Sequence, residues 1–205
     1  MTRPMGTKKN GLKYLDESQL KKFFGAVRKD DEFQHEVWFD LCLYFGLRVT
    51  ELVNLRMENI KPGIRGIEIE GAKNGLTKIY RKVDPVLWQK VEIWLQIRNA
   101  RLCQAMSDYV FPSPVRRLAK SHHVTEQAVK SAFKKYAKEA GLDKGFSVHS
   151  LRHSCGVLKA KHGDHPIAIK EWLRQKSLNS TLIYLAEIEF QNQNTEASQI
   201  FGTYL

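Results

Sequence analysis

The sequence has little cysteine, no long apolar run and no repeated segment. Only 3 of its 205 residues are cysteines, and Cys42, Cys103 and Cys155 are far apart with no CxxC pair, which disfavours a disulfide framework and a zinc site. No apolar stretch approaches the roughly 20 residues that a membrane span needs. The opening residues lack the basic-then-apolar pattern of a secretory signal. We therefore expect a soluble, cytoplasmic protein with reduced thiols.

Acidic residues are also in short supply. The chain carries 33 Lys and Arg against 22 Asp and Glu, a net charge of +11. Residues 61–90 contain seven basic and three acidic side chains, and residues 113–145 contain eight and three. Such clustering is typical of a surface that binds a polyanion, either nucleic acid or an anionic membrane. Two solvated helix or hairpin faces are the simpler alternative.

Hydrophobic spacing predicts a mainly α protein with a small antiparallel β-sheet, an α+β fold. Residues 66–83 alternate between apolar and polar side chains on both sides of Asn74-Gly75, a strong signal for a β-hairpin. One folded domain is expected over 15–189, between a flexible basic arm at 1–14 and a tail at 190–205 that packs on this chain or on a neighbouring copy. Periodicity and capping signals predict helices at about 16–27, 34–47, 49–57, 85–106, 124–140, 149–162, 165–174 and 178–186.

Two patterns in the first half of the chain carry charged side chains at turns. The segment GLRVTE (46–51) ends an apolar helix, so the charged head of Arg48 lies where the chain turns, and Glu51 is close enough to support it. Lys73 lies at the tip of the predicted hairpin. Taken singly, each fits an ordinary surface ion pair or a solvated lysine.

Two further patterns lie in the second half. In HSLRH, which opens a helix, His149 and Arg152 fall on one helical face and can converge on one target. A metal pair of His149 and His153 lacks a third ligand at suitable spacing, so we predict no metal site. In the last pattern Tyr184 follows Gln175 by nine residues. A lone tyrosine in that place is most simply a core or surface residue.

In this order the four patterns resemble the tyrosine recombinase (phage integrase) family, from about Leu15 to Tyr184. The family pattern is GLRxxE, a hairpin lysine, HxxRH, and LGH with a tyrosine nine residues after its histidine. The resemblance implies the integrase catalytic-domain fold and a site-specific recombinase that cleaves and rejoins DNA through a 3′-phosphotyrosyl intermediate. It also implies no metal, no ATP and no other cofactor. The segment HSCG at 153–156 is similar to the short fimbrial phase-variation invertases.

The resemblance assigns a role to each matching residue. Tyr184 is the nucleophile, and Arg48 and Arg152 clamp the phosphate, because guanidinium forks match its oxygens and stay charged. Lys73 is the general acid that protonates the leaving 5′-oxygen. His149 assists the proton transfer of the tyrosine or binds a phosphate oxygen.

Two positions depart from the family pattern. Gln175 stands where the family usually has His, and Arg174 stands where it usually has Gly. Gln175 can still donate a hydrogen bond to a phosphate oxygen but cannot carry a proton, so we expect weaker or differently timed cleavage. Glu51 is expected to hold Arg48 in place. The basic residues expected to contact DNA are Lys78, Arg116, Arg117, Lys120, Lys130, Lys134, Arg174 and Lys176.

The implied partners are double-stranded DNA and further copies of the chain. The expected assembly is a homotetramer on paired sites, weakly associated or monomeric without DNA, with accessory DNA-bending proteins and a nucleoid location. Only about fourteen residues precede Leu15, so a short family member and the loss of an N-terminal core-binding domain are both open. Two other functions fit the same residues: a type IB topoisomerase, which reseals the original strand, and a non-catalytic DNA-binding regulator.

Overall fold

Helices and one small sheet follow each other along the chain, as seen in a computed structural model that describes residues 12–70, 77–80, 82–101, 107–115, 118, 121–142 and 145–189. The strands are β1 (Ile60–Lys61), β2 (Gly66–Glu70) and β3 (Thr77–Tyr80). The predicted α+β fold class is confirmed. The helices within the described ranges are α1 (Glu17–Lys29), α2 (Phe33–Tyr44), α3 (Val49–Val53), α4 (Pro85–Ala100), α5 (Glu126–Glu139), α6 (Val148–Lys161), α7 (Pro166–Trp172) and α8 (179–189).

Helix α2 lies at the centre of the main core. It packs against α1, α4, α5 and α6, which leaves Val37 and Phe39 fully buried. Aromatic rings fill the space where α1, α2 and α5 meet. The ring centroid of Phe23 lies 4.8 Å from that of Phe133 and 5.2 Å from that of Phe39. Burial of these rings stabilises the core through the hydrophobic effect and through edge-to-face contacts.

Helix ends account for most differences from the predicted segments. Helix α1 begins as predicted, because Asp16 and Gln19 form a reciprocal capping box with bonds of 2.8 and 3.0 Å. Helix α2 ends at Tyr44, three residues earlier than predicted, since Gly46 adopts a φ of +60°. Helices α3 and α4 also end earlier than expected, at Val53 and Ala100.

The predicted hairpin is confirmed by the pairing of β2 with β3. The two strands are antiparallel, with Ile67 opposite Tyr80 and Glu70 opposite Thr77. Ile67 and Tyr80 are buried on one face of this ladder. Strand β1 extends the sheet through the pair Ile60 and Ile67; two residues are too few to give an alternation in the sequence. Residues 71–76, among them Lys73, lie outside the described residues.

The segment that leads into α1 is part of the folded domain, which corrects the arm boundary expected after Tyr14. Leu12 and Tyr14 are 5% and 3% exposed, and they join a second apolar cluster with α6 and α8. The hydroxyl of Tyr14 donates to Glu187 on α8 at 3.3 Å. The hydroxyl of Ser154 on α6 accepts from the backbone N–H of Leu15 and donates to its carbonyl, at 2.8 and 2.9 Å. These contacts join the entry segment to both helices.

Cysteines, membrane spans and metal sites are considered for the part of the chain that the structure describes. Cys42 and Cys155 are buried and carry free thiols, and Cys103 lies outside that part. No described helix is long and apolar enough to cross a lipid bilayer. No group of three or more His, Cys, Asp or Glu side chains among these residues could hold a metal ion.

Candidate active site

Arg48 is positioned by the turn between α2 and α3. Gly46 has a positive φ that favours glycine, and a β-carbon there would meet the side chain of Leu173. The backbone N–H of Arg48 then donates to Glu51 Oε2 at 2.9 Å, and its Nη1 donates to Glu51 Oε1 at 2.6 Å. Glu51 is 4% exposed. The contact expected from their spacing is therefore present, and the carboxylate holds the guanidinium from the interior side.

Arg152 reaches the same region from α6. It is 2% exposed, its Nη1 donates to the carbonyl of Gly46 at 2.6 Å, and its Nη2 donates to the carbonyl of Leu173. Nη1 also lies 3.9 Å from Glu51 Oε2. Burial, followed by the charge of Arg48, lowers the pKa of Arg152 to about 10. The guanidinium is still protonated at neutral pH and is fixed in direction by two carbonyls.

Two histidines of α6 lie beside the arginines. The rings of His149 and His153 meet edge to face with centroids 4.5 Å apart. Burial lowers the pKa of His149, and the charges of Arg152 and Arg48 lower it further. Burial also lowers the pKa of His153, to about 4. Both rings are therefore neutral at physiological pH, and each can accept one hydrogen bond.

Tyr184 enters from α8 and is 1% exposed. Its hydroxyl oxygen lies 3.3 Å from Nδ1 of His153 and accepts from Nε2 of Gln175 at 3.3 Å. Thr181 donates to Oε1 of Gln175 at 2.7 Å, which turns the amide N–H₂ group toward the phenol. The ring packs on Gly156, where a β-carbon would lie 2.6 Å from Cε2. Burial raises the pKa of Tyr184, so the resting phenol is protonated.

An open cleft of about 650 Å³ brings these residues together. Arg48, His149, Arg152, Gln175 and Tyr184 all line it, although they lie far apart in the sequence. Two fixed guanidinium groups beside a phenol can hold a tetrahedral anion within reach of a nucleophile. The cleft is therefore suited to chemistry at a phosphate. The sixth predicted catalytic residue, Lys73, lies outside the described residues.

His153 and Gly156 are site residues that the sequence reasoning did not assign. The resemblance has His149 either assist the proton transfer of the tyrosine or bind a phosphate oxygen, whereas the histidine in hydrogen-bond contact with Tyr184 is His153. The sequence contained part of this signal, because residues four apart on a helix share a face. It could not show which of the two rings faces α8. The role of Gly156 depends on how close α8 packs, which no local pattern records.

Three of the predicted DNA contacts border the cleft. Lys176 lines the cleft itself and is exposed. Lys130 and Lys134 of α5 are exposed and line an adjoining hollow of about 420 Å³ that also includes Arg48 and His149. A basic face of α5 therefore continues from Arg48 and His149. The role of the three lysines in DNA binding stays a prediction.

The remaining predicted contacts divide into two groups. Lys78 is partly exposed, with its Nζ 3.8 Å from Glu171. The prediction for Arg174 is wrong. This residue is 3% exposed, and its guanidinium donates to Glu51 and to backbone carbonyls. It therefore cannot reach a DNA phosphate from the surface. The predicted contacts that lie outside the described residues are Arg116, Arg117 and Lys120.

Comparison with known proteins agrees with this geometry. The chain is 31% identical over 175 residues to the tyrosine recombinase XerD of Shewanella oneidensis, covering 83% of this chain and 55% of that relative. It is 28% identical over 146 residues to the type 1 fimbriae regulatory protein FimB of Escherichia coli K12, covering 71% and 70%. The chain spans about half the length of several curated recombinases that it matches.

The fold is also shared with solved structures. The XerH site-specific recombinase bound to a palindromic difH substrate superimposes with a TM-score of 0.74 at 20% identity, covering 94% of this chain and 56% of that one. XerA recombinase gives 0.73 at 22% identity, covering 88% and 64%. Residues 13–189 match the model of the phage integrase family. The chain therefore belongs to the phage integrase family.

Proposed function

We propose that this chain is the catalytic unit of a site-specific DNA recombinase. It would cleave and rejoin strands through a 3′-phosphotyrosyl intermediate. The observation that carries the proposal is the convergence of Arg48, Arg152 and Tyr184 in one cleft. Family membership gives the same reaction class, and the relatives named XerD are recombinases.

The scissile phosphate would be held by the two arginines. Arg152 is fixed by the carbonyls of Gly46 and Leu173, and Arg48 is fixed by Glu51. A guanidinium that is already oriented loses little freedom when it binds, and it stabilises the charge that develops on the non-bridging oxygens. The arginines therefore supply the positive charge that phosphoryl transfer needs.

Strand cleavage would form one bond and break one. The hydroxyl oxygen of Tyr184 attacks phosphorus, and the bond from phosphorus to the 5′-oxygen breaks. The phenolic proton passes to His153, the imidazole nearest to it, and the negative charge of the entering phosphate favours protonation of that ring. Lys73 would give a proton to the departing 5′-oxygen. Attack by a 5′-hydroxyl of the partner strand reverses these steps and releases the tyrosine.

Gln175 would bind a phosphate oxygen and limit the rate. Its amide donates to Tyr184 in the resting state, so it lies within reach of the reacting atoms. An amide donates without charge and stabilises the transition state less than a protonated imidazole would. Gln175→His should therefore cleave faster than the parent protein, and an unchanged cleavage rate would remove Gln175 as the limiting group.

DNA would lie across the cleft and the basic face of α5. Lys130, Lys134 and Lys176, which line the cleft and its neighbouring hollow, would contact phosphates. Lys78 on β3 would add a further contact. We also propose a homotetramer on paired sites, accessory DNA-bending proteins and a location on the nucleoid, because recombination joins two distant DNA segments. The tail at 190–205 would then dock on a neighbouring copy, so that its deletion harms synapsis more than binding by a single copy.

Covalent trapping tests the proposal. The protein is incubated with nicked suicide DNA that carries candidate sites, so that a cleaved strand cannot be rejoined, and is then denatured. We expect a protein–DNA adduct that Tyr184→Phe abolishes. Tyr109→Phe, a change of the same kind outside the cleft, should keep the adduct. DNA binding without any adduct would overturn the proposal and favour a regulator. Relaxation of supercoils without site preference would instead favour a topoisomerase.

A further inference from the structure

Arg174 has a backbone conformation and a location that are unusual for an arginine. It follows α7 with a φ of +51°, a left-handed backbone conformation that residues other than glycine rarely adopt. It is also buried, at 3% exposure, although an arginine is usually solvated. A strained and buried arginine persists only where its surroundings hold it firmly.

The guanidinium of Arg174 joins three elements around the cleft. Nη1 donates to the hydroxyl of Tyr80 on β3 and to the carbonyl of Trp172 at 2.9 Å. Nη2 donates to Glu51 Oε2 at 2.8 Å and to the carbonyl of Gly46 at 3.3 Å. The hairpin strand, the turn before Arg48 and the end of α7 are thus fixed relative to each other by one side chain.

Three arginines share one carboxylate at this place. Arg48 takes Oε1 of Glu51, Arg174 takes Oε2, and Arg152 stands 3.9 Å from Oε2. Arg174 and Arg152 also share the carbonyl of Gly46 as acceptor. With one negative and three positive groups, the cluster keeps a net charge of about +2, which a phosphate can neutralise.

Loss of Arg174 would change both the partners of Glu51 and the net charge of the cluster. Oε2 of Glu51 would be left without its closest cationic partner, and Arg152 is the next cation within reach. Arg152 would turn inward toward Glu51, away from the cleft. The charge of the cluster would fall by one unit. Both changes weaken the binding of a phosphate in the transition state more than that of extended DNA, which depends on many other contacts.

Gln175, the next residue, explains why this chain would need an arginine at position 174. The family pattern has Gly-His where this chain has Arg174-Gln175. This chain therefore lacks the positive charge that a protonated histidine carries, but it has an arginine one residue earlier. We propose that Arg174 is a positioning residue that holds Arg48 and Arg152 toward the scissile phosphate and replaces the positive charge that Gln175 does not supply. This inference rests on the proposed recombinase function.

A double-mutant comparison tests it with the suicide-DNA assay. Single-turnover cleavage and DNA affinity are measured for the parent, Arg174→Gly, Gln175→His and the double variant. We expect Arg174→Gly to slow cleavage by about 30-fold or more while DNA affinity changes less than about threefold. In the Gln175→His background the same change should cost less than about fivefold. Arg174→Lys, which keeps the charge, should recover part of the lost rate.

Control variants separate this role from a purely structural one. Arg65→Gly makes the same exchange at another left-handed position, with φ +44°, and shows how far glycine at such a position moves the melting temperature. Arg28→Gln removes one surface charge far from the cleft and should leave cleavage unchanged. If Arg174→Gly is unstable, Arg174→Lys in both backgrounds carries the same comparison.

The outcomes are distinct. If Arg174→Gly slows cleavage by the same factor in the parent and in the Gln175→His background, the effects of the two positions are additive. That result would overturn the proposed replacement of the charge that Gln175 does not supply and leave the recombinase proposal standing. A loss of DNA affinity equal to the loss of cleavage would also overturn it. A parent protein that forms no adduct through Tyr184 would overturn the recombinase function and this inference together.

Discussion

Two buried regions of this molecule are held together in opposite ways. Where α1, α2 and α5 meet, the contacts of Phe23, Phe39 and Phe133 are apolar ring contacts. Around Glu51 the interior instead contains two buried arginines that are bound to carbonyls. Apolar packing gives stability and tolerates small shifts, whereas buried ion pairs add little net stability but fix direction. The first region maintains the fold, and the second aims the groups that would act on DNA.

Removal of the shared carboxylate should have the largest effect. Glu51→Gln leaves Arg152 and Arg174 buried without a counter-charge, so we expect a loss of about 3–5 kcal/mol in the free energy of unfolding. Cleavage should fall by at least about 100-fold, because Arg48, a proposed phosphate ligand, loses the carboxylate that orients it. Denaturant unfolding and the trapping assay measure the two effects. Glu126→Gln, in an exposed pair with Lys130, is the matched control, and equal effects of the two variants would contradict the comparison.

A cavity in the aromatic region should reduce stability without changing chemistry. Phe23→Ala removes a fully buried ring, and we expect a loss of about 3–4 kcal/mol in the free energy of unfolding. Cleavage per folded molecule should stay within about twofold of the parent, since the ring does not touch the cleft. Active-site titration with suicide DNA gives the folded fraction. A large fall in the intrinsic rate would show that the two regions are not independent.

A methyl group beneath the tyrosine should affect rate more than stability. In Gly156→Ala the added β-carbon meets the ring of Tyr184, so the nucleophile must move, and we expect cleavage to fall by about 10- to 100-fold. DNA affinity should be nearly unchanged. Gly25→Ala on α1 has no atom within 4 Å of the new carbon and should only stabilise the helix, by up to about 1 kcal/mol. An unaltered cleavage rate in Gly156→Ala would mean that the ring of Tyr184 moves away from Gly156 before the tyrosine reacts.

Acid should weaken the region around the cleft through His153. Its pKa in the folded state is lowered to about 4 from 6.5, so the unfolded chain binds more protons between these values. The associated stability is complete above about pH 6.5 and is lost as the pH falls toward 4. His153→Gln should make this dependence shallower, by on the order of 1 kcal/mol after allowance for partial exposure. Denaturant unfolding at a series of pH values measures the slope, and an identical slope in the variant would exclude His153 as its source.

The smallest effect is expected on the exposed face of α5. Lys130→Gln removes one proposed phosphate contact and a surface ion pair with Glu126. The slope of log Kd against log salt concentration should fall by about one, while stability changes by less than about 0.5 kcal/mol. Lys21→Gln makes the same charge change on α1, where no DNA contact is proposed. Equal slopes for the two variants would remove α5 from the DNA-binding surface.

The sequence predicted those parts of the fold that depend on neighbouring residues. The capping box of α1, the hairpin formed by β2 and β3, and the contact of Arg48 with Glu51 all follow from spacings of a few residues. Convergence of the distant patterns was predicted only through the family resemblance. No spacing rule brings α6 and α8 into contact.

The remaining features depend on packing between distant elements. Arg174 was predicted to contact DNA as a basic residue near the end of a helix, yet its left-handed backbone turns the side chain inward to Glu51. His153 and not His149 meets Tyr184, because the rotation of α6 is set by the core beneath it. Such choices are made by tertiary contacts, which override local preference.

The entry segment has a mechanical consequence. Tyr14 is bonded to Glu187 on the helix that carries Tyr184, and Leu15 is bonded to Ser154 on α6, next to His153. Tension applied to the chain ahead of Leu12 would therefore act on α8, which carries Tyr184, and on α6, which carries His153. A pull or a twist at that point would alter the distance between Tyr184 and His153.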